Sequence, residues 1–191
     1  MEMIADKKEG DYERMPSSKM MTLIAIGTII MLFAGMTSAY IVREAEGNWI
    51  KFDLPKLFWV SSGLILLSSV TMNMAVRAAK KNNSKAITQA LLLTTLLGLG
   101  FVVTQYLAWT SLYSQGIIFA GNPSESFLYV LTGLHVAHLL AGIIALLVTF
   151  SKSSRKIYSS TNMTGLQNCA IFWHFLDGLW IYLFIFLMFV R

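Results

Sequence analysis

The feature that most constrains this chain is a stretch from Ala86 to Ser124 that contains no Asp, Glu, Lys or Arg. Charges elsewhere cluster in short blocks. Only 13% of the 191 residues are charged, whereas 55% are hydrophobic. A soluble globular protein carries about 25% charged residues. A chain with half that share has too little polar surface to face water on all sides, so the distribution indicates a membrane protein.

Five apolar runs are long enough to cross a bilayer, which takes about 20 residues in a helix. They lack the alternation of a membrane β-barrel, and in lipid they can satisfy their backbone only as helices. We therefore predict an all-α polytopic membrane protein, a five-transmembrane-helix bundle whose consecutive helices are antiparallel neighbours. Residues 1–19 form a tail, and residues 20–191 form one membrane domain. The predicted spans are about 20–42, 57–76, 86–113, 126–150 and 167–190.

Basic residues predict the orientation of the bundle. Eleven of the fifteen Lys and Arg lie in the N-terminal tail and in the connections between spans two and three and between spans four and five. The positive-inside rule places these segments in the cytoplasm and the C-terminus outside. The same asymmetry explains the net charge of +5 without a nucleic-acid partner.

Polar groups at membrane depth are candidate functional residues, because burying them without a partner costs free energy. Pairs three residues apart lie close to one helix face, and two such pairs occur, one in span four and one in span five. The candidate cluster for helix packing or lipid binding consists of His135, His138, His174, Asp177, Gln105, Trp173, Trp180, Tyr40 and Arg43.

Three interpretations compete for the histidines. His138 and His174 on facing helices could ligate a haem, but a dihaem cytochrome needs four ligands and the chain has three histidines. The four residues His135, His138, His174 and Asp177 could instead bind zinc or copper. In the third interpretation, which we favour, each histidine donates to a neighbouring helix and Asp177 pairs with His174 or another span. Asp177 could also relay protons, but alone it makes no path across the membrane.

Short motifs in spans four and five resemble subunit III of the haem-copper oxidases. Residues 172–177, Phe-Trp-His-Phe-Leu-Asp, are followed by Trp180 and resemble the family's Trp-His-Phe-x-Asp-x-x-Trp signature. Residues 133–138, Gly-Leu-His-Val-Ala-His, with Gly142, are similar to its Gly-x-His-x-x-His-x-x-x-Gly motif.

The other spans carry further parts of this resemblance, in the same order as in the family. Residues 98–101, followed by Gln105 and Trp109, resemble a Gly-x-x-Phe-x-x-x-Gln-x-x-Glu-Trp motif. Residues 33–35, leading to Tyr40 and Arg43, are similar to its Phe-Ala-Gly run, and residues 66–69 of span two also fit. Two carboxylates of the family pattern are missing, since their places hold Ile29 and Ala108.

The resemblance implies the short five-helix form of the subunit, in the bacterial plasma membrane. Its partners would be subunit I directly, subunit II and other oxidase subunits, phospholipids, and in some cases a larger respiratory assembly. Haem and copper would belong to partner subunits, with no cofactor in this chain. The complex would reduce dioxygen to water and pump protons. Both cytochrome c and quinol oxidases contain this subunit, and we favour cytochrome c as the donor.

A small transporter or channel is the alternative from another functional class. Transporters commonly break their helices near the midplane to bind substrate. The chain has three prolines, Pro16, Pro55 and Pro123, and none of them lies inside a predicted span. The sequence therefore favours the accessory oxidase subunit over a transporter.

Overall fold

The computed structural model describes residues 16–156, 158–159 and 162–190. The helices in this part of the chain are α1 Ser17–Ala45, α2 Leu57–Lys80, α3 Ser84–Ser114, α4 Pro123–Ser154 and α5 Thr164–Phe189. Each is long and apolar enough to cross a membrane. Even α2, with 24 residues, is about 36 Å long at 1.5 Å per residue. The predicted all-α bundle of five helices is confirmed.

The helices extend past the hydrophobic runs by up to four residues, because polar residues continue a helix beyond the hydrocarbon region. Helix α1 begins at Ser17, inside the predicted tail, and residues 1–15 of that tail lie outside the described residues. Polar caps define two starts. Asn83 accepts from the backbone N–H of Ala86, and Asn122 forms a reciprocal capping box with Glu125.

Four helices form a ring in which α2 contacts α3, α3 contacts α4, α4 contacts α5, and α5 contacts α2. We call this the four-helix ring. Helix α1 lies outside it, against α4 and α5, and makes no contact with α2. The expectation that all consecutive helices are neighbours is therefore wrong for α1 and α2. Their connection, residues 46–56, is long enough to reach the start of α4, where Asn122 Nδ2 donates to the carbonyl of Asn48 at 2.9 Å.

Hydrogen bonds between helix ends show which helix starts and helix ends lie together at one end of the bundle. Asn168 near the start of α5 donates to Ser18 at the start of α1, and Thr88 of α3 bonds Ser153 at the end of α4. One end, which we call the basic end, therefore holds the starts of α1, α3 and α5 and the ends of α2 and α4. The described basic residues there are Lys19, Arg77, Lys80, Lys81, Lys85, Lys152, Arg155 and Lys156.

Trp173 of α5 is fully buried in the core of the four-helix ring. Its indole lies against two glycines on other helices. A Cβ atom added to Gly98 of α3 would lie 2.8 Å from Trp173 Cη2. One added to Gly142 of α4 would lie 2.9 Å from Leu176 Cδ1 and 3.4 Å from Trp173. These two glycines allow the helices to approach closely around the tryptophan.

Candidate functional site

Two serines of α2 accept hydrogen bonds from two tryptophans of α5. Trp173 Nε1 donates to Ser68 Oγ, and Trp180 Nε1 donates to Ser62 Oγ, both at 3.0 Å. Each serine hydroxyl in turn donates a hydrogen bond to a carbonyl of α2, Ser68 to Ile65 at 2.7 Å and Ser62 to Phe58 at 2.8 Å. The serine oxygen can therefore accept the indole proton with no donor left over. A buried tryptophan needs such an acceptor, and here the acceptor joins two helices.

The same arrangement joins α3 to its neighbours. Gln105 Nε2 donates to Ser61 Oγ of α2 at 3.0 Å, and that serine donates to the carbonyl of Phe58. Trp109 Nε1 donates to Thr132 Oγ1 of α4 at 3.1 Å. Gln105 is fully buried, and among the described residues its Oε1 has no hydrogen-bond partner. Three sides of the four-helix ring are therefore connected by side-chain hydrogen bonds at membrane depth.

His135 lies in the interior of the four-helix ring, fully buried. The centroid of its ring lies 5.7 Å from that of Phe101, in an edge-to-face arrangement, and 5.2 Å from that of the Trp180 indole. Neither ring nitrogen has a hydrogen-bond partner among the described residues. Among the described residues the expectation that this histidine donates to a neighbouring helix is therefore wrong, and the rings of Phe101 and Trp180 lie beside it instead.

His138 lies only three residues after His135 but contacts a different helix. Its Nδ1 bonds the carbonyl of Leu134 in its own helix at 2.7 Å, and its ring is 5.7 Å from Phe33 of α1. A three-residue step turns a side chain by roughly 60° around the helix. That rotation is enough to place His135 in the four-helix ring and His138 at the α1 contact. Among the described residues, the hydrogen bond of His138 is therefore to Leu134 of its own helix and not to another helix as expected.

His174 and Asp177 lie on the side of α5 that faces α2. His174 Nδ1 bonds Ser69 Oγ at 2.7 Å, so the predicted contact with a neighbouring helix is present for this histidine. Asp177 is buried, and its Oδ2 lies 3.9 Å from His174 Nδ1, beyond hydrogen-bond distance. Within the described part of the chain neither carboxyl oxygen has a hydrogen-bond partner. His174 and Asp177 are therefore close to each other but not hydrogen-bonded, and the hydrogen bond of His174 is to Ser69.

A groove reaches His174 from the basic end, in the space that α1 and α2 leave between them. Its volume is about 450 Å³, and polar residues line much of it, including Lys19, Asn73, Gln167 and Asn168. His174 is thus the member of the predicted cluster that lies both against a helix neighbour and at a surface groove.

Tyr40 and Arg43 lie apart from the other candidates. Tyr40 is buried in an aromatic group with Trp49, Phe127 and Phe186, at centroid distances of 4.7, 5.6 and 5.1 Å. It holds the end of α1 against α4 and α5. Arg43 pairs with Glu46 at 2.5 Å on the exposed surface of the same segment. The nine predicted residues therefore form several separate contacts.

This separation bears on the two ligand interpretations of the histidines. His135 faces the interior of the four-helix ring, His138 faces α1, and His174 faces α2. In residues 16–156, 158–159 and 162–190, no three His, Cys, Asp or Glu side chains come together as a metal site would require. His138 and His174 also face different helices, so they do not oppose each other across one haem-sized space.

The sequence interpretation missed the serines Ser61 and Ser62 and the threonine Thr132. A signal for them exists in the spacing. Two serine pairs, 61–62 and 68–69, are seven residues apart in α2, and Trp173 and Trp180 are seven apart in α5. Seven residues are close to two helical turns, so both sets lie on one face of their helix and can meet twice along a shared interface.

Comparison with known proteins connects these contacts to a family. The family described as "Cytochrome c oxidase subunit III" matches residues 50–190. "Cytochrome c oxidase subunit 3" of Corynebacterium diphtheriae is 27% identical over 202 residues, which cover 98% of each chain. "Probable cytochrome c oxidase subunit 3" of Nocardia farcinica is 29% identical and covers 94% of each chain. The protein of that name from Mycobacterium bovis is also 29% identical, over 88% of this chain and 89% of the relative.

The family match includes α2 to α5, and the relative from Corynebacterium diphtheriae extends the similarity over α1. The resemblance predicted from the ordered motifs is thus confirmed. Five residues of those motifs make side-chain hydrogen bonds between helices of the four-helix ring: Gln105, Trp109, Trp173, His174 and Trp180. The chain belongs to the cytochrome c oxidase subunit III family, the third subunit of haem-copper cytochrome c oxidases.

Proposed function

We propose that this chain is an accessory, non-catalytic subunit of a proton-pumping haem-copper terminal oxidase that reduces dioxygen to water. In this proposal the chain packs against subunit I, stabilises it, and contacts subunit II and other oxidase subunits within the complex. The electron donor is cytochrome c, in agreement with the names of the relatives. Family membership supports the proposal, and so do the hydrogen bonds that the buried polar residues of this chain make between its helices.

The observation that carries the proposal is that residues of the family motifs form hydrogen bonds between helices inside the bundle. Trp173, Trp180 and Gln105 each make a 3.0 Å hydrogen bond to a serine of α2. All three are fully buried. A residue that holds helices together inside the bundle is not available to a substrate. A structural role in the complex is therefore the function that this geometry supports best.

We propose that the haem and copper of the complex are held by partner subunits. The geometry of the histidines supports this division. The Nδ1 atoms of His138 and His174 are occupied by bonds to Leu134 and Ser69, and the ring of His135 is enclosed by Phe101 and Trp180. The three rings face the interior of the four-helix ring, α1 and α2 respectively, so they do not gather at one place.

The two missing carboxylates indicate which roles of the family this chain lacks. Ile29 is buried beside Phe33 in the contact of α1 with α4 and α5, and Ala108 is fully buried in the four-helix ring. Both positions are apolar and enclosed by apolar neighbours, so neither can take up or release a proton. We therefore propose a structural and lipid-binding role for this subunit, with no proton uptake through these two positions.

The chain is a multi-pass membrane protein, and we propose that it lies in the bacterial plasma membrane with the basic end in the cytoplasm. Eight described Lys and Arg residues gather at that end, as the positive-inside rule requires of cytoplasmic segments. Bound phospholipid is part of the proposal as well. Much of the apolar surface of α1 is exposed, including Met31 and Val42, and must be covered by lipid or by partner subunits.

A transporter remains the alternative from another functional class, and the helices argue against it. Many transporters build their sites from interrupted helices. Here α1 to α5 each continue without a break through the residues that the structure describes. Pro16 and Pro123 stand at helix starts, and Pro55 precedes α2.

The proposed accessory role can be tested by removing this subunit from the purified oxidase with detergent. We expect the depleted complex to retain its haem spectrum and its initial rate of oxygen reduction. We expect its activity to be lost faster during turnover, and re-addition of the purified chain to slow that loss. Loss of haem, or of all initial activity, from a complex that keeps its other subunits would contradict the non-catalytic role.

A further inference from the structure

A second groove lies at the basic end, on the outer side of α2 and α3. It runs between the last turns of α2 and the first turns of α3 and has a volume of about 420 Å³. We call it the α2–α3 groove. The two helices are in close contact elsewhere, but here small residues, Ala78 and Ala86, face the space between them. The groove is a local gap in an otherwise tight helix pair.

The rim of the α2–α3 groove carries two positive charges that no described acidic residue neutralises. Arg77 and Lys81 line the groove and are exposed. The sequence has no Asp or Glu between Asp53 and Glu125, so α2 and α3 supply no carboxylate. Glu125 lies at the start of α4, which is at the opposite end of the bundle, and Asp177 is buried in α5. Among the described residues Arg77 and Lys81 have no ion-pair partner.

The walls become apolar with distance from the rim. Met74 and Leu93 line the groove, and each is about half exposed. At its floor, the hydroxyl of Thr71 is already engaged, since it lies 2.7 Å from Thr94 Oγ1 and 2.9 Å from the carbonyl of Ser68. The deeper part of the groove therefore offers apolar contact and no unsatisfied hydroxyl, and the cations stand only at the outer end.

We propose that the α2–α3 groove binds one anionic phospholipid, with its phosphodiester at Arg77 and Lys81 and an acyl chain along Met74 and Leu93. This inference rests on the lipid binding proposed above, and it specifies the binding site and the headgroup charge of the lipid. Two cations that no described acidic residue neutralises favour a lipid with net negative charge, because each contributes to the attraction separately. A zwitterionic lipid would fill the same groove with a weaker headgroup contact.

The test is a lipid titration of the tagged, full-length protein, purified in detergent and observed by native mass spectrometry. Phosphatidylglycerol and phosphatidylcholine with identical acyl chains are added in turn, and lipid adducts are counted on the released chain. We expect tighter binding of phosphatidylglycerol by the natural chain. The double variant Arg77→Gln/Lys81→Gln should bind phosphatidylglycerol roughly 30-fold more weakly and lose the preference over phosphatidylcholine.

Two further variants keep the result specific to the groove. Lys80→Gln/Lys152→Gln removes the same number of charges at the same end, from residues that do not line the groove, and should bind like the natural chain. Ala78→Leu fills the groove without changing a charge and should weaken both lipids. Glycerol phosphate, which has the headgroup without chains, should not displace the bound lipid.

The proposal is overturned if the natural chain shows no preference for phosphatidylglycerol, or if the two double variants lose binding equally. It is also overturned if Ala78→Leu binds both lipids as tightly as the natural chain. These outcomes are separate from the oxidase assignment. Recovery of partner subunits with the tag tests that assignment, and the titration can be made on the chain alone if no partners are recovered.

Discussion

The indole N–H of Trp173 donates to the hydroxyl oxygen of Ser68 at 3.0 Å, across the interface between α5 and α2. Trp180 makes the same bond to Ser62 farther along the two helices. The hydrophobic effect does not drive helices together inside a bilayer, because lipid tails are as apolar as the side chains. These bonds, and the close packing around Trp173, therefore account for much of the specificity of the α2–α5 contact.

Replacing Ser68 by alanine should leave the indole N–H of Trp173 buried without an acceptor. We expect a loss of about 1 kcal/mol in the free energy of unfolding, within the range measured for side-chain bonds in membranes. Reversible unfolding of the purified chain in detergent and SDS measures it. Thr110→Ala is the matched control, because its hydroxyl is exposed and bonds only its own helix. A Ser68→Ala chain as stable as that control would contradict the role of the bond.

Adding a methyl group at Gly98 or Gly142 should push α3 or α4 away from Trp173. We expect Gly98→Ala and Gly142→Ala each to cost about 1–3 kcal/mol, the usual cost of overpacking. The controls are Gly100→Ala, where the added Cβ would make an ordinary 3.6 Å contact with Leu64, and Gly133→Ala, where nothing lies within 4 Å. Alanine favours helix over glycine, so the controls should be neutral or slightly stabilised. Equal losses in all four variants would refute the packing account.

His174 and Asp177 should respond differently to substitution. His174→Phe removes the 2.7 Å bond to Ser69, and we expect it to lower the yield of folded protein and its stability by about 1 kcal/mol. Asp177→Asn keeps the shape and replaces a carboxyl group that lacks a hydrogen-bond partner among the described residues. Because a neutral amide costs less to bury than a carboxylate, we expect this variant to assemble at least as well. A larger loss in Asp177→Asn than in His174→Phe would show that the carboxylate has an essential partner.

His138→Leu should leave the haem spectrum of the purified oxidase unchanged when it is normalised to assembled complex. The reason is the proposal that partner subunits hold the haem, with His138 serving the contact of α4 with Phe33 of α1. The visible spectrum of the reduced complex is the measurement. A haem band that disappears while all subunits remain assembled would assign a cofactor to this chain.

The positions of the helices could be predicted because hydropathy is a local property of the chain. The neighbours of each helix could not, since they depend on the path of the connections. Residues 46–56 reach Asn122 at the start of α4, and α1 consequently packs on α4 and α5 instead of α2. Helix rotation was predictable only in part. The seven-residue spacing of the serine pairs and of Trp173 and Trp180 indicates one shared face on each helix. It does not indicate that α2 and α5 are neighbours, or that His135 and His138 face different helices.

Purification of the chain through a tag, in a mild detergent that preserves membrane complexes, tests the central claim most directly. The visible spectrum and the identities of the co-purifying subunits are recorded on the same sample. We predict an oxidase haem spectrum carried by a separate, larger subunit that is recovered together with this chain. A colourless chain recovered alone, from membranes in which the oxidase is intact, would contradict its place in the complex.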